Sequence, residues 1–211
     1  MSSRPNTSYK LKICIICEGF EEKGYMDRLG ELSVWSNHYD FTFKNAKSAS
    51  NVFPMFQHEY QNDNYAAVLI FCDTDKYPFK EYTLIKQKLR EFFNIRTLTL
   101  NKMVIFANPC SMQIILSHFA DVELKTQAKK TNAPLINGLT GVANYKASQK
   151  QINIICSKIT RTSYYQMKER IKSINVDDTI TPSTNLITFL DYFENTDEEW
   201  IKAINKALGA K

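Results

Sequence analysis

Three apolar runs, separated by amphipathic segments, constrain this chain more than any other feature of its sequence. They are KLKICIIC (10–17), AAVLIFC (66–72) and KMVIFA (102–107). A strand with one face in water alternates apolar and polar residues, whereas these runs are apolar on both faces. They must therefore be buried on both sides, as inner strands of a mostly parallel sheet between layers of helices. The sequence predicts an α/β fold.

The segments between these runs have the spacing that such a sheet requires. Residues 21–35, 49–61 and 80–93 repeat apolar side chains every three or four positions, which is typical of helices packed on a sheet. Residues 39–46 alternate aromatic and polar side chains and predict an exposed or edge strand. A further helix is expected over 111–119, after the third apolar run.

Strand patterns fade after about residue 120. Helical patterns follow over 149–174, 183–193 and 196–208, the last with capping residues at its start. We expect three parts in the chain: a disordered tail (1–9), an α/β domain (10–120), and a helical extension packed on the sheet domain (121–211).

The cysteines and the hydropathy indicate a cytoplasmic protein. No apolar stretch approaches the roughly 20 residues that span a bilayer, so no membrane partner is expected. The chain has five cysteines, an odd number that suits reduced, buried thiols better than a disulfide framework. Cys14 and Cys17 form a Cys-x-x-Cys, but strand residues three apart point to opposite faces, and nothing nearby completes a metal site.

Carboxylates follow two of the apolar runs. Asp73 and Asp75 come directly after the second run, and Glu18 comes directly after the first. Polar ligands collect beyond the carboxyl ends of parallel strands, and Mg²⁺ is usually held by one or two carboxylates. We therefore predict a Mg²⁺ or Mn²⁺ site that polarises a phosphoryl oxygen, with Lys76 close to the scissile phosphate. The alternative is that Asp73 caps a turn and Asp75 pairs with Lys76 in solvent.

Positive charge is concentrated in one segment. Residues 125–172 hold 10 Lys/Arg against one acid, Glu169, a net charge of +9. Residues 1–124 hold 14 of each sign, and 173–211 hold 3 basic against 7 acidic residues. Such a block is a candidate footprint for nucleic acid, and the alternative is a solvated helical face. The predicted contacts are Lys125, Lys129, Lys130, Lys146, Lys150, Lys158, Arg161, Lys168 and Arg170, with Tyr145, Tyr164 and Tyr165 stacking on bases unless they pack in the core.

Three motifs resemble, in order and spacing, the signatures of the RloB-like proteins of the Toprim (topoisomerase–primase) superfamily. They are ICEGFEEKGYMDRL, VLIFCDTDKY and FANPCSMQIILSHF. The Glu-Gly and Asp-x-Asp of the family fall on Glu18-Gly19 and on Asp73 with Asp75. The other matching positions are Tyr25 and Glu22, once one residue is deleted, and then Asn108, Pro109, Cys110, His118 and Phe119.

The resemblance covers about residues 10–120 and implies a Toprim-like fold with Mg²⁺-dependent cleavage or joining of phosphodiester bonds. In it, Glu18 is a base or metal ligand, and Asp73 and Asp75 hold the metal. The supporting residues are Gly19, Glu22, Lys76, Asn108 and His118. For His118 the alternative is a structural hydrogen bond, which is more common for a helix histidine among Ile, Leu and Phe. The family context implies prokaryotic anti-phage defence by abortive infection, beside a partner ATPase of the ABC or AAA type.

One departure from the family motivates a second hypothesis. Ser111 and Met112 stand where the family has Phe-Glu, so an acid is absent there unless Gln113 replaces it. The first hypothesis is a metal-dependent nuclease. The second is a non-catalytic nucleic-acid- or protein-binding module that regulates the partner ATPase. The sequence leaves open RNA or DNA as substrate, hydrolysis or another phosphoryl transfer, and the oligomeric state.

Overall fold

The sheet has five strands and is mostly parallel. The computed structural model describes residues 9–74, 79–95 and 100–209. The strands run in the order β2-β1-β3-β4-β5, where β1 to β4 are parallel and β5 is antiparallel to β4. The α/β fold and the mostly parallel sheet are therefore confirmed. Their bounds are β1 (Leu11–Cys17), β2 (Tyr39–Asn45), β3 (Ala67–Asp73), β4 (Val104–Asn108) and β5 (Ser183–Thr184).

Nine helices lie within the described residues. The predicted helix over 149–174 is two helices, separated at residues 158–160, where the Thr160 side chain accepts a hydrogen bond from the backbone N–H of Ser163. The helix at 129–140 and strand β5 are not predicted by the sequence pattern. The helices are α1 (Phe20–Glu31), α2 (Ala49–Gln61), α3 (Lys80–Phe93), α4 (Met112–Leu116), α5 (Lys129–Thr140), α6 (Gln149–Ser157), α7 (Arg161–Ile171), α8 (Leu186–Glu194) and α9 (Glu199–Leu208).

The direction in which successive strands are added to the sheet reverses, and the reversal point lies between β1 and β3. The β1–α1–β2 connection moves one way, whereas β2–α2–β3 and β3–α3–β4 move the other way. Since such crossovers are right-handed, α1 lies on one face and α2 and α3 on the other. The contacts agree, because α2 packs against α3 while α1 packs against α6. A crevice forms outside the carboxyl ends of strands at such a switch point, here those of β1 and β3.

The core is centred on the inner strands. The side chains from Ile13 to Cys17 and from Leu69 to Cys72 are fully buried. Burial raises the pKa of Cys14 to about 12 and that of Cys17 well above its ordinary value, so both thiols stay protonated. The Cys-x-x-Cys is a packing feature, as predicted. Among the described residues, no helix has the length and apolar character needed to cross a membrane.

The extension is built into the sheet. Strand β5 comes from it, α8 contacts β4 and α9 contacts β3. Asn185 continues the pairing beyond β5: its side chain accepts from the N–H of Phe106 at 2.9 Å and donates to the carbonyl of Val104 at 2.8 Å. The expectation of a purely helical extension is therefore corrected, because residues 183–185 supply the edge that covers β4.

Helix α1 approaches α6 most closely at Gly24. A Cβ atom on Gly24 would lie 2.6 Å from Cγ2 of Ile152, which is fully buried. Overpacking of this kind costs about 1–3 kcal/mol, and the better helix propensity of alanine returns about 1 kcal/mol. We expect Gly24→Ala to lower the free energy of unfolding in urea by up to about 2 kcal/mol and to be about 1–3 kcal/mol less stable than the same change at an uncrowded helix glycine. Gly30→Ala is the control, since its Cβ would meet Phe43 at 3.6 Å, and equal stabilities would contradict the prediction.

Candidate metal centre

A cavity of about 250 Å³ opens at the switch point, beyond the carboxyl ends of β1 and β3. The start of α1 and the turn between β2 and α2 form one part of its wall, and residues 127–147 of the extension form another. The extension therefore lies over the carboxyl edge of the sheet. Four carboxylates line the cavity: Glu18, Glu21, Glu22 and Asp73.

Three of these carboxylates form a close cluster. Oxygen atoms of Glu21, Glu22 and Asp73 all lie within 4.8 Å of one another. Glu22 is only 2% exposed, and it accepts hydrogen bonds from Gly19 and Ser111 but forms no ion pair with a cation of the described residues. Like charges at this separation repel, more strongly where water is displaced. The cluster therefore favours a cation among its oxygens.

Hydrogen bonds from the backbone hold the carboxylates in place. Glu22 accepts from the N–H of Gly19 at 2.7 Å, which caps the start of α1, and from the Ser111 hydroxyl at 2.5 Å. Asp73 accepts from the N–H of Ser111 at 2.7 Å, where α4 begins. Glu18 accepts from the N–H of Asp73 at 3.2 Å. The ends of β1 and β3 and the starts of α1 and α4 thus orient the acids before any ligand arrives.

Tyr145 supports Glu21 from the opposite wall. Its hydroxyl donates a short hydrogen bond to the Glu21 carboxylate. Burial, followed by the charge of Glu21, raises the pKa of Tyr145 well above its ordinary value, so the hydroxyl remains a donor. The expectation that this tyrosine stacks on bases is wrong, and the alternative of a packed side chain holds.

The donor set fits Mg²⁺ or Mn²⁺. Both are hard cations that take carboxylate oxygens, and Mg²⁺ binds them at about 2.0–2.1 Å, so opposite ligands lie roughly 4.2 Å apart. The cluster spans up to 4.8 Å, which leaves room for an ion after a small closure, with water completing its coordination. Imidazole and thiolate are absent from the cluster, which disfavours softer metals.

The cluster differs from the predicted ligand set of Glu18, Asp73 and Asp75. Asp73 belongs to it, and Glu18 lies beside it, tied to the backbone of Asp73. Glu22, expected only as a supporting residue, is a member, and Glu21 was missed. The signal for Glu21 was its place in the first turn of α1, one residue before Glu22. Asp75 and Lys76 lie outside the described residues.

Two supporting residues are placed away from the cavity. His118 is buried, with Nε2 3.0 Å from the Tyr25 hydroxyl and Nδ1 3.3 Å from the Ser163 hydroxyl. Burial, followed by the charge of Arg170, lowers the pKa of His118 to about 3, so the ring is neutral near pH 7. Asn108 donates to the carbonyls at 178 and 180 and holds that loop to β4. Both sets of contacts are structural. They agree with the structural alternative for His118 and correct the expected supporting role of Asn108 in the site.

The family's missing acid is not replaced by Gln113. The Gln113 amide is buried and is used by the backbone, donating to Val122 at 2.8 Å and accepting from Leu124 at 2.7 Å. Met112 is 2% exposed and lines the cavity at the position where the family has glutamate. At this edge, the additional carboxylates come from α1 instead of α4.

The basic segment has two different parts. Some of its cations bind the protein itself: Lys168 is buried and pairs with Asp191 and Glu194, and Tyr164 is fully buried with its hydroxyl on Glu194. The expectation that these two residues meet nucleic acid is therefore wrong. Three more cations donate to backbone carbonyls: Lys158 to Thr140, Arg161 to Leu32 and Ser33, and Arg170 to Ser117.

The other part of the basic segment faces solvent. Lys125 is exposed but pairs with Glu123 at 2.8 Å, and Tyr165 is exposed beside Tyr164. Four exposed lysines of the segment have an ammonium group with neither an ion pair nor a hydrogen bond among the described residues: Lys129, Lys130, Lys146 and Lys150. Lys129 also lines the carboxylate cavity. The candidate footprint is therefore smaller than the charge count predicts and lies on α5, on α6 and in the loop between them.

Comparisons with known proteins identify no relative of this chain. The structure shows the α/β fold class, whereas the RloB-like resemblance stays a prediction. No family model, no curated protein and no solved structure matches this chain.

Proposed function

We propose that this protein is a metal-dependent nuclease that cleaves phosphodiester bonds of RNA or DNA with Mg²⁺ or Mn²⁺. The observation that carries the proposal is the convergence of Glu21, Glu22 and Asp73, with Glu18 beside them, in one cavity at the switch point of the sheet. The position supports it as well, since polar ligands of parallel α/β sheets bind at such crevices.

Each residue has a role that follows from its contacts. Glu21, Glu22 and Asp73 would hold the ion, because their oxygens already converge. A bound Mg²⁺ or Mn²⁺ supplies Lewis-acid polarisation of a phosphoryl oxygen and lowers the pKa of coordinated water. Glu18, held by the N–H of Asp73, is placed to accept a proton from an attacking water. Tyr145 keeps Glu21 oriented toward the cluster.

The wider context of the proposal comes from the family resemblance. Nucleic acid would reach the cavity over the exposed lysines of α5 and α6, among which Lys129 lines the cavity itself. A role in prokaryotic anti-phage defence, with a partner ATPase of the ABC or AAA type, is part of the same proposal. It is tested by co-purification with the product of a neighbouring ATPase gene.

A metal titration tests the site without any substrate. A ligand that binds only the folded state stabilises it by RT ln(1 + [L]/Kd), which is about 1.4 kcal/mol at a tenfold excess over Kd. We expect Mn²⁺ and Mg²⁺ to raise the melting temperature of the protein, and EDTA to reverse the rise. Glu22→Gln, compared with its own metal-free state, should show little or no rise, because the cluster loses one of its three charges.

The opposite result would favour the second hypothesis. Met112 places an apolar side chain in the cavity where the family has an acid, which is the observation in favour of a non-catalytic binding module. A protein that melts at the same temperature with and without millimolar Mn²⁺ would not have the proposed centre. Binding of nucleic acid or of the ATPase would then remain as its function.

A further inference from the structure

Two lysines line the carboxylate cavity without neutralising it. Lys47, in the turn between β2 and α2, and Lys129, at the start of α5, both face solvent and both contribute to the cavity wall. Across the described ranges, no ion pair joins either ammonium group to a carboxylate, in contrast to Lys168 with its two acidic partners. The two ammonium groups are therefore available to an anion that enters the cavity.

Lys47 is held in an unusual backbone conformation. Its φ is +68°, in the left-handed region that favours glycine over residues with a Cβ atom. The turn is fixed by two hydrogen bonds, from the N–H of Ala46 to the carbonyl of Cys17 at 2.8 Å and from the N–H of Lys47 to Asn45 Oδ1 at 2.7 Å. Strained positions of this kind are concentrated at functional sites, so the Lys47 side chain is a candidate ligand contact.

An aromatic ring stands at the same cavity. Phe20 is the first residue of α1, lines the cavity and is 41% exposed. Within the described parts of the chain, no other aromatic ring packs against it, in contrast to Phe41 and Phe43 of β2, which stack on each other. An exposed aromatic face beside a charged groove is the feature on which proteins stack unpaired bases.

The size of the cavity limits what can enter. Its volume of about 250 Å³ is slightly below the roughly 300–1,000 Å³ of pockets for drug-sized ligands. That size favours a single nucleotide over a stacked base pair. A duplex would have to flip a nucleotide out of its stack to reach the carboxylates, at a cost in unstacking and unpairing.

We propose that the cavity binds one unstacked nucleotide of a single strand. The phosphate lies between Lys47 and Lys129, and the base stacks on Phe20. This inference rests on the proposed function, because it names the substrate class of the same site. It also predicts that two residues outside the basic segment, Phe20 and Lys47, contact nucleic acid.

Binding of labelled oligonucleotides tests the inference. The probes are a 12-nucleotide single strand of thymidines, the matching uridine strand and a blunt duplex, followed by fluorescence anisotropy in Ca²⁺ and, separately, in EDTA. We expect at least a tenfold preference for a single strand over the duplex. Loss of one stacking contact weakens binding by about 5- to 150-fold, so Phe20→Ala should raise Kd within that range and Phe20→Trp should restore it.

Two further variants separate the contacts from the fold. Tyr9→Ala is the matched control, since Tyr9 is 83% exposed and precedes β1, at the edge of the sheet opposite the cavity. It should bind as the wild type does. Lys47→Gly should weaken binding although the protein melts at the same or a higher temperature, because glycine accepts the backbone conformation that strains lysine.

The outcomes distinguish this inference from the proposed function. Equal binding of duplex and single strand, or wild-type binding by Phe20→Ala, would overturn the inference even if the metal raises the melting temperature and supports cleavage. Binding that depends on Phe20 and Lys47, in a protein that shows no response to Mn²⁺, would support the inference and reject the nuclease.

Discussion

Replacing Asp73 by asparagine should reduce metal-dependent cleavage at least about 100-fold and leave the protein folded. Asparagine keeps an oxygen that can accept from the N–H of Ser111, so the start of α4 should be preserved. The substitution nevertheless removes one of the three charges that would hold the cation. Loss of an outer contact to a metal ligand already costs 10- to 100-fold, and loss of a ligand should cost more. Initial rates with Mn²⁺, at equal concentrations of folded protein, give the measurement.

The matched control for this substitution is Asp121→Asn. Asp121 is exposed and does not line the cavity, so the same chemical change there should leave the rate unaltered. Both variants are purified by the same protocol, which separates the activity of the chain from a contaminating nuclease. Cleavage by Asp73→Asn at the wild-type rate would remove the cluster from the mechanism.

The fold could be predicted from the sequence because the patterns that indicate its inner strands are local. The runs that became β1, β3 and β4 are apolar on both faces, and only a sheet covered on both sides can bury them. Strand β5 has two residues and no periodicity, so its existence depends on the exposed edge of β4 and on the Asn185 side chain. Helix α5 begins at adjacent lysines and contains Pro134, which hid its pattern.

Only part of the candidate site could be predicted from the sequence, because some of its contacts are not local in the chain. Glu18 and Asp73 follow strands directly, so the topology of the sheet alone brings them to one edge. Glu21 and Tyr145 are 124 residues apart, and no spacing rule connects them. The same limit applies to Lys47, whose relevance depends on a backbone angle and on the wall that it shares with the extension.

The basic segment shows what a charge count omits. A count treats every cation as equally available, whereas the fold uses several of them internally. Lys168 links α7 to α8 through Glu194 and Asp191, and Arg170 holds the end of α4 through Ser117. Arg170 thereby attaches the extension to the sheet domain, whereas Lys168 joins two helices within the extension. The exposed lysines without an internal partner lie on α5, on α6 and between them. Burial and hydrogen bonding, which the sequence does not display, decide between the two roles.

The stability of the protein should fall steeply below pH 6.5 because of His118. Its pKa is about 3 in the folded state, below its ordinary value of 6.5, owing to burial and then to Arg170. Between these values the unfolded chain binds a proton that the folded chain does not, so stability is lost as the pH falls, by about 1.4 kcal/mol per unit. From pH 6.5 to 4.5 this amounts to roughly 2–3 kcal/mol, and no further loss from this residue occurs below about pH 3.

Urea unfolding of the wild type and of His118→Gln, at several pH values in that window, isolates this contribution. Glutamine can retain a hydrogen bond to the Tyr25 hydroxyl but does not titrate, so its stability should fall by roughly 2–3 kcal/mol less between pH 6.5 and 4.5. A loss of stability in the variant that does not depend on pH cancels, because only the change of the free energy of unfolding with pH is compared. Parallel curves of the free energy of unfolding against pH would show that His118 is protonated in the folded protein. An accessible histidine near the carboxylates would behave in that way, whereas a buried one would not.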